Sequence, residues 1–95
     1  MIENSYKTSC GSIHYFVNII DKQKITLVFL PGLTADHRLF EKQIEYFEKR
    51  QNVFVWDAPS HALSRPFTNN YSLSDMAEWL DEILAKEEIY NPVII

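Results

Sequence analysis

The sequence predicts an α/β fold: an N-terminal β-hairpin followed by a parallel βαβαβ unit. Three observations carry that prediction. Residues 25–30 (Ile-Thr-Leu-Val-Phe-Leu) and 52–57 (Asn-Val-Phe-Val-Trp-Asp) are short apolar runs closed by turn or polar residues. Such runs are the pattern of fully buried strands. The segment between them, about twenty residues, holds one helical pattern, long enough for a parallel crossover of right-handed sense. A second helical pattern from Ser72 then leads to a third apolar run, residues 91–95. Strands alternating with helices build a sheet with helices on its faces.

Taken in order, residues 5–9 and 12–18 are expected as two strands about Cys10-Gly11, with Gly11 supplying the positive φ of the turn. Residues 21–24 are a polar connector. The strand 25–30 runs directly into Pro31-Gly32, so its loop leaves the carboxyl end of a buried strand. That edge is where open α/β sheets gather ligands and catalytic groups. Phe40, Ile44 and Phe47 recur at helical spacing, flanked by Leu39, Gln43 and Tyr46. Glu41, Lys42, Glu45, Glu48 and Lys49 take the other face, which gives an amphipathic helix of about three turns. Thr34 or Asp36 is its N-cap. Residues 58–70 form a loop rich in Pro, Ser and Asn. Ser72 and Asp75 have the spacing of a capping box. Leu73, Met76, Ala77, Leu80, Ile83 and Leu84 make one apolar stripe, read as packing on the sheet rather than as a partner helix. The last run, Pro92-Val93-Ile94-Ile95, is a buried-type strand that needs a neighbour, so the sheet is expected to be incomplete and to end in mid-strand.

A chain of 95 residues makes one domain, and 46% hydrophobic with 23% charged residues is ordinary globular composition. Six Phe, five Tyr and two Trp supply burial enough to disfavour disorder. The net charge of −4 argues against nucleic acid and anionic membranes as partners. The longest basic run, Lys49-Arg50, suits a helix C-terminus. A lone cysteine, Cys10, forms no internal disulfide, is read as a plain hairpin residue, and points to a reducing compartment. No signal-like N-terminus and no apolar run of about 18 residues are present, so a soluble, cytoplasmic chain is expected.

Two loops carry the candidate chemistry, residues 31–36 and 57–66. Gly32 lacks a Cβ, so the chain can turn there and present the next amide, that of Leu33, as a preorganised donor. A tight turn without chemistry fits the same residues. Ser60, Ser64, His61 and Asp57 suggest a local triad, but triad geometry is set in space, and the simpler reading is a loop held by its own hydrogen bonds. His37 and His61, with Asp36 and Asp57, fall on the same rim without a metal-ligand spacing. His14 is read as a surface or satisfied strand residue. With Gly11 and Gly32 the only glycines, no phosphate-binding loop can form. No cofactor and no metal are expected.

The ordered set resembles the α/β-hydrolase family. It consists of Phe29-Leu30-Pro31-Gly32, then Asp57-Ala58-Pro59-Ser60-His61-Ala62-Leu63-Ser64, then Tyr71-Ser72-Leu73-Ser74-Asp75, and last Pro92-Val93-Ile94-Ile95. The similarity covers essentially the whole chain. Ser60 and Ala62 stand where the family has two loop glycines, so any positive φ there must be adopted by residues with side chains. Pro31 replaces a more usual His before Gly32. The family's Gly-x-Ser-x-Gly elbow follows the strand that begins here at Val93, and its acid and His come later. The resemblance therefore implies that residues 1–95 are the N-terminal part of a single α/β-hydrolase domain. When completed, it would be a serine-type enzyme cleaving an ester, thioester or similar acyl bond of a small-molecule substrate. It also implies that the Leu33 backbone N–H is an oxyanion donor, that Gly32, Thr34 and His61 line the substrate side, and that Asp57 shapes the cleft wall. The 95 residues alone are expected to be inactive.

A second class fits the same chain: a non-catalytic α/β module that binds through the edge from Val93 to Ile95 by β-augmentation. Its partner would be the missing C-terminal part or a second copy.

Overall fold

The computed structural model describes residues 1–32, 34–68 and 70–95. Strands β1 (Ile2–Lys7), β2 (Ser12–Asn18), β3 (Thr26–Phe29), β4 (Asn52–Trp56) and β5 (Pro92–Ile94) form one sheet in the order β1-β2-β4-β3-β5. β2 is antiparallel to β1 and β4, whereas β3 is parallel to β4 and β5. Helix α1 (Glu41–Phe47), preceded by a 3-10 turn (His37–Phe40), connects β3 to β4, and α2 (Leu73–Lys86) connects β4 to β5. The expected hairpin and parallel βαβαβ unit are both present.

β4 is the middle strand, and every one of its residues is buried. Its alternating side chains feed two cores. Phe54 and Trp56 join Ile13, Tyr15, Val17, Val28, Ile83 and Leu84 on the α2 side. Val53 and Val55 join Phe29 and Ile44 on the α1 side. Each such side chain, fully buried, contributes about 1.5–3 kcal/mol. The hairpin is also tied to α2 by polar contacts: Tyr6 donates to Glu82, and Tyr15 and Asn4 donate to Glu87. Burial, then the Glu87 carboxylate, push the Tyr15 hydroxyl above its ordinary pKa.

Several boundaries differ from the sequence expectation. β1 starts at Ile2 and ends at Lys7, because Thr8 turns the chain. Its hydroxyl donates to the Gly11 carbonyl (2.7 Å) and accepts from the amides of Cys10 and Gly11 (both 3.1 Å). Gly11 has φ +155°, and a Cβ there would lie 2.6 Å from the Phe67 ring and 2.8 Å from the Pro66 carbonyl. It is needed for that close approach as well as for the turn. β3 begins at Thr26, and Ile25 is 43% exposed. The first helix opens as a 3-10 turn capped by Asp36, which accepts from the Arg38 amide. On α2, Met76, Trp79, Leu80, Ile83 and Leu84 pack on the core. Leu73, at the first helical position, is 81% exposed, and Ala77 faces solvent. The Ser72–Asp75 capping box is present in full. Its C-terminal counterpart is a Schellman closure with Glu88 at φ +58°: Ile89 donates to Leu84 (2.8 Å) and Glu88 to Ala85 (3.0 Å). β5 pairs with β3 on one side, and Val93, Ile94 and Ile95 are exposed.

Candidate functional site

The loops leaving β3 and β4 lie side by side because those strands are neighbours. In the first loop, the Ala35 amide donates to the Gly32 carbonyl (3.0 Å), closing a turn. Among the described residues of this turn, Thr34 is left-handed, at φ +67°, and Gly32 is not. A Cβ on Gly32 would meet no described atom within 4 Å, so sterics at that position do not demand glycine. A β-branched residue at positive φ is a strained outlier, costing on the order of 1–3 kcal/mol. Leu33, the expected oxyanion donor, lies outside the described residues.

Asp57 joins the two loops. It directly follows β4, is 0% exposed, and turns its carboxylate to His37 at the first loop's exit. Oδ1 accepts from the His37 amide (2.8 Å) and from His37 Nδ1 (2.8 Å), and Oδ2 accepts from the Leu63 amide (3.2 Å). A carboxylate can only accept here, so His37 carries its proton on Nδ1. The His37 ring is backed by Phe16, with centroids 4.4 Å apart. One buried side chain thereby anchors both loops at once.

The second loop is held by its own hydrogen bonds, as expected. The amides of His61, Ser64 and Ser60 donate to Ala58 (2.9 Å), His61 (2.8 Å) and Ser64 (3.2 Å). Ser64 is fully buried: its hydroxyl donates to the Asp57 carbonyl (2.5 Å) and accepts from the His14 amide (2.8 Å). His61 Nδ1 lies 3.0 Å from the Pro59 carbonyl, which fixes its proton there too. Tyr71 donates to the same carbonyl (3.1 Å) and packs with Phe67 and Trp79 in a three-ring cluster. The local Ser-His-Asp arrangement is therefore not a triad: Asp57 holds His37, and His61 holds a backbone carbonyl. Ser60 and Ala62 do adopt positive φ, +72° and +42°. Two side-chain-bearing residues take conformations that glycine adopts without strain.

Between the loops lies a cleft of about 210 Å³, lined by Thr34, Ala35, Asp36, Ser60, His61, Ala62 and Arg65. Of the expected site residues it brings together Thr34 and His61; Gly32 contributes the turn behind them. Three of the four described non-glycine residues at positive φ line it: Thr34, Ser60 and Ala62. A larger trough of about 690 Å³ runs along the outer face beside α1, floored by Phe16, Ile44 and Val55. The smaller cleft is the better candidate, because only it is bounded by both carboxyl-edge loops. Asp36 is paired with Arg38 (2.6 Å), whose guanidinium and amide hold the carboxyl down at about 2. No group of three or more His, Cys, Asp or Glu among the described residues could hold a metal ion. His14 lies away from this rim, with Glu3 3.7 Å from its Nδ1.

Sequence reasoning placed His37 on the rim but missed its bond to Asp57. The available signal was an acid directly after a strand that reads as buried, a position that demands donors nearby.

The alpha/beta hydrolase fold family matches residues 25–94, and the chain belongs to that family. No curated protein matches it. Among solved structures, a bacterial membrane phospholipase A described as a virulence factor aligns at TM-score 0.79 and 20% identity, over 98% of this chain and 30% of its own. A candidate lipase from Acinetobacter baumannii AYE aligns at 0.75 and 22%, over 98% and 31%. A 1H-3-hydroxy-4-oxoquinoline 2,4-dioxygenase aligns at 0.79 and 20%, over 96% and 34%. The chain spans about a third of the length of these structures. No helix among the described residues is long and apolar enough to cross a membrane.

Proposed function

We propose that this chain supplies the oxyanion side of the active-site cleft in a serine-type α/β hydrolase that cleaves an ester, thioester or similar acyl bond of a small molecule. The observation that carries this reading is the concentration of backbone strain at one cleft: Thr34, Ser60 and Ala62 all hold positive φ around it. Strained backbone persists where its surroundings over-determine it, and it clusters at functional sites. In this reading the Leu33 N–H points to the developing oxyanion, and Thr34 and His61 face the substrate. Asp57, through His37 and Leu63, keeps the two loops in register. The second oxyanion donor, the nucleophile, the acid and the catalytic His belong to segments other than these residues. The dioxygenase among the structural neighbours shows that this fold hosts other chemistry, so the reaction must be tested directly.

The test is an activated ester such as p-nitrophenyl acetate. The 95-residue chain is expected to give no turnover above the buffer rate. A whole protein containing it is expected to turn the ester over and to lose activity when a fluorophosphonate labels its serine. A whole protein that neither hydrolyses the ester nor takes the label contradicts the proposal.

A further inference from the structure

We infer that the cleft between the two loops takes a small anionic group, a carboxylate or a phosphate, through the Arg65 guanidinium and the Thr34 hydroxyl. The substrate of the proposed hydrolase is accordingly an anionic acyl compound. This second statement rests on the hydrolase reading; the binding itself does not.

Arg65 lines the cleft and is exposed. Its only hydrogen bond among the described residues is a long one, Nε to the Ala62 carbonyl (3.4 Å). No carboxylate among the described residues pairs with it, although the chain carries thirteen acidic residues and a net charge of −4. That bond holds the Nε edge against the strained loop and leaves the two Nη groups for a ligand. The acid on the opposite wall, Asp36, does not cancel this charge. Arg38 engages it through both Nε (3.1 and 3.2 Å) and Nη2 (2.6 Å), and its Oδ1 also caps the 3-10 turn. The cleft therefore sees a paired Asp36–Arg38 and an unpaired Arg65, a net positive site on a negative protein. Thr34 adds a hydroxyl that makes no hydrogen bond among the described residues. A planar guanidinium fork and a hydroxyl lining one cleft suit the oxygens of a carboxylate or phosphate. The volume of about 210 Å³ equals about seven waters at their share of liquid volume. It fits an anionic group with a short tail.

The experiment follows the amides of Thr34 and Ala62 and the Arg65 Nε–H by NMR in the 95-residue chain. Acetate and inorganic phosphate are titrated separately at constant ionic strength, with acetamide as the neutral control. The expected result is saturable shifts at these three positions for one or both anions and none for acetamide; the anion that saturates first identifies the group. Arg65→Gln is expected to weaken binding about tenfold or more, the loss of a charge-assisted bond. Arg65→Lys, which keeps the charge without the fork, falls between. Because Arg65 is exposed, these variants keep the wild-type amide spectrum elsewhere. Linear, non-saturating shifts, or equal binding by Arg65→Gln, overturn the inference. Anion binding without serine labelling of the whole protein would leave this site standing and remove the hydrolase reading. Ester turnover without anion binding would do the reverse.

Discussion

Replacing Asp57 by Ala tests the lock between the two loops. The substitution removes the acceptor for the His37 amide, for His37 Nδ1–H and for the Leu63 amide. An orphaned buried donor costs about 1–3 kcal/mol. The His37 amide, in a part-buried bond, bears the largest share of that cost. The ring is 26% exposed and Leu63 is 45% exposed, so their donors recover water and each lose about 0.5 kcal/mol. The expected loss is about 3 kcal/mol, a large share of the ~5–14 kcal/mol available to a 95-residue domain. Asp57→Asn keeps one accepting oxygen but turns an N–H₂ toward a donor, and should lose about half as much. Urea unfolding followed by tryptophan fluorescence reads the effect, since Trp56 adjoins the site and is 4% exposed. Amide exchange separates the lock from general softening: His37 and Leu63 should lose more protection than Val53. An Asp57→Ala variant within about 0.5 kcal/mol of the parent, the usual range for inert surface changes, would refute the lock.

Three further outcomes follow from other parts of the molecule. Gly11→Ala drives a Cβ to 2.6 Å from Phe67 and 2.8 Å from the Pro66 carbonyl, so thermal melting should show a loss of about 1–3 kcal/mol. Ala62→Gly relieves a left-handed alanine and should raise stability by up to about 1 kcal/mol in the same assay; a clear loss would mean that the strain is absent. The Asp36 carboxyl should titrate near 2 by NMR and return toward 3.8 in Arg38→Ala. Because its pKa is lowered in the fold, the contribution of this pair is present above the unfolded value. It is lost as pH falls from about 4 toward 2.

The fold was largely legible because its signals are local. Continuous apolar runs marked β3 and β4, and Ser72 with Asp75 marked the start of α2. The errors came where tertiary contacts decide. Thr8 turns the hairpin with its own side chain, which shifts β1 toward the N-terminus. Leu73 fits the helical period of the apolar stripe, yet it sits at the first turn, outside the core. The site was legible in part. The demand for positive φ at Ser60 and Ala62 was visible in the departures from a familiar pattern. The His37–Asp57 bond was not, because it joins two loops twenty positions apart, and no local pattern encodes such a pairing. Gly32 drew attention as the flexible residue of the first loop, whereas Thr34 bears the left-handed conformation there.

The central claim is that this chain presents a backbone donor to an acyl transition state. Leu33→Pro in a whole enzyme containing the chain removes that N–H and no side-chain charge. The account predicts a fall in kcat of about 10²–10³-fold with KM little changed and the circular dichroism of the parent. A folded variant with near-normal kcat would contradict it.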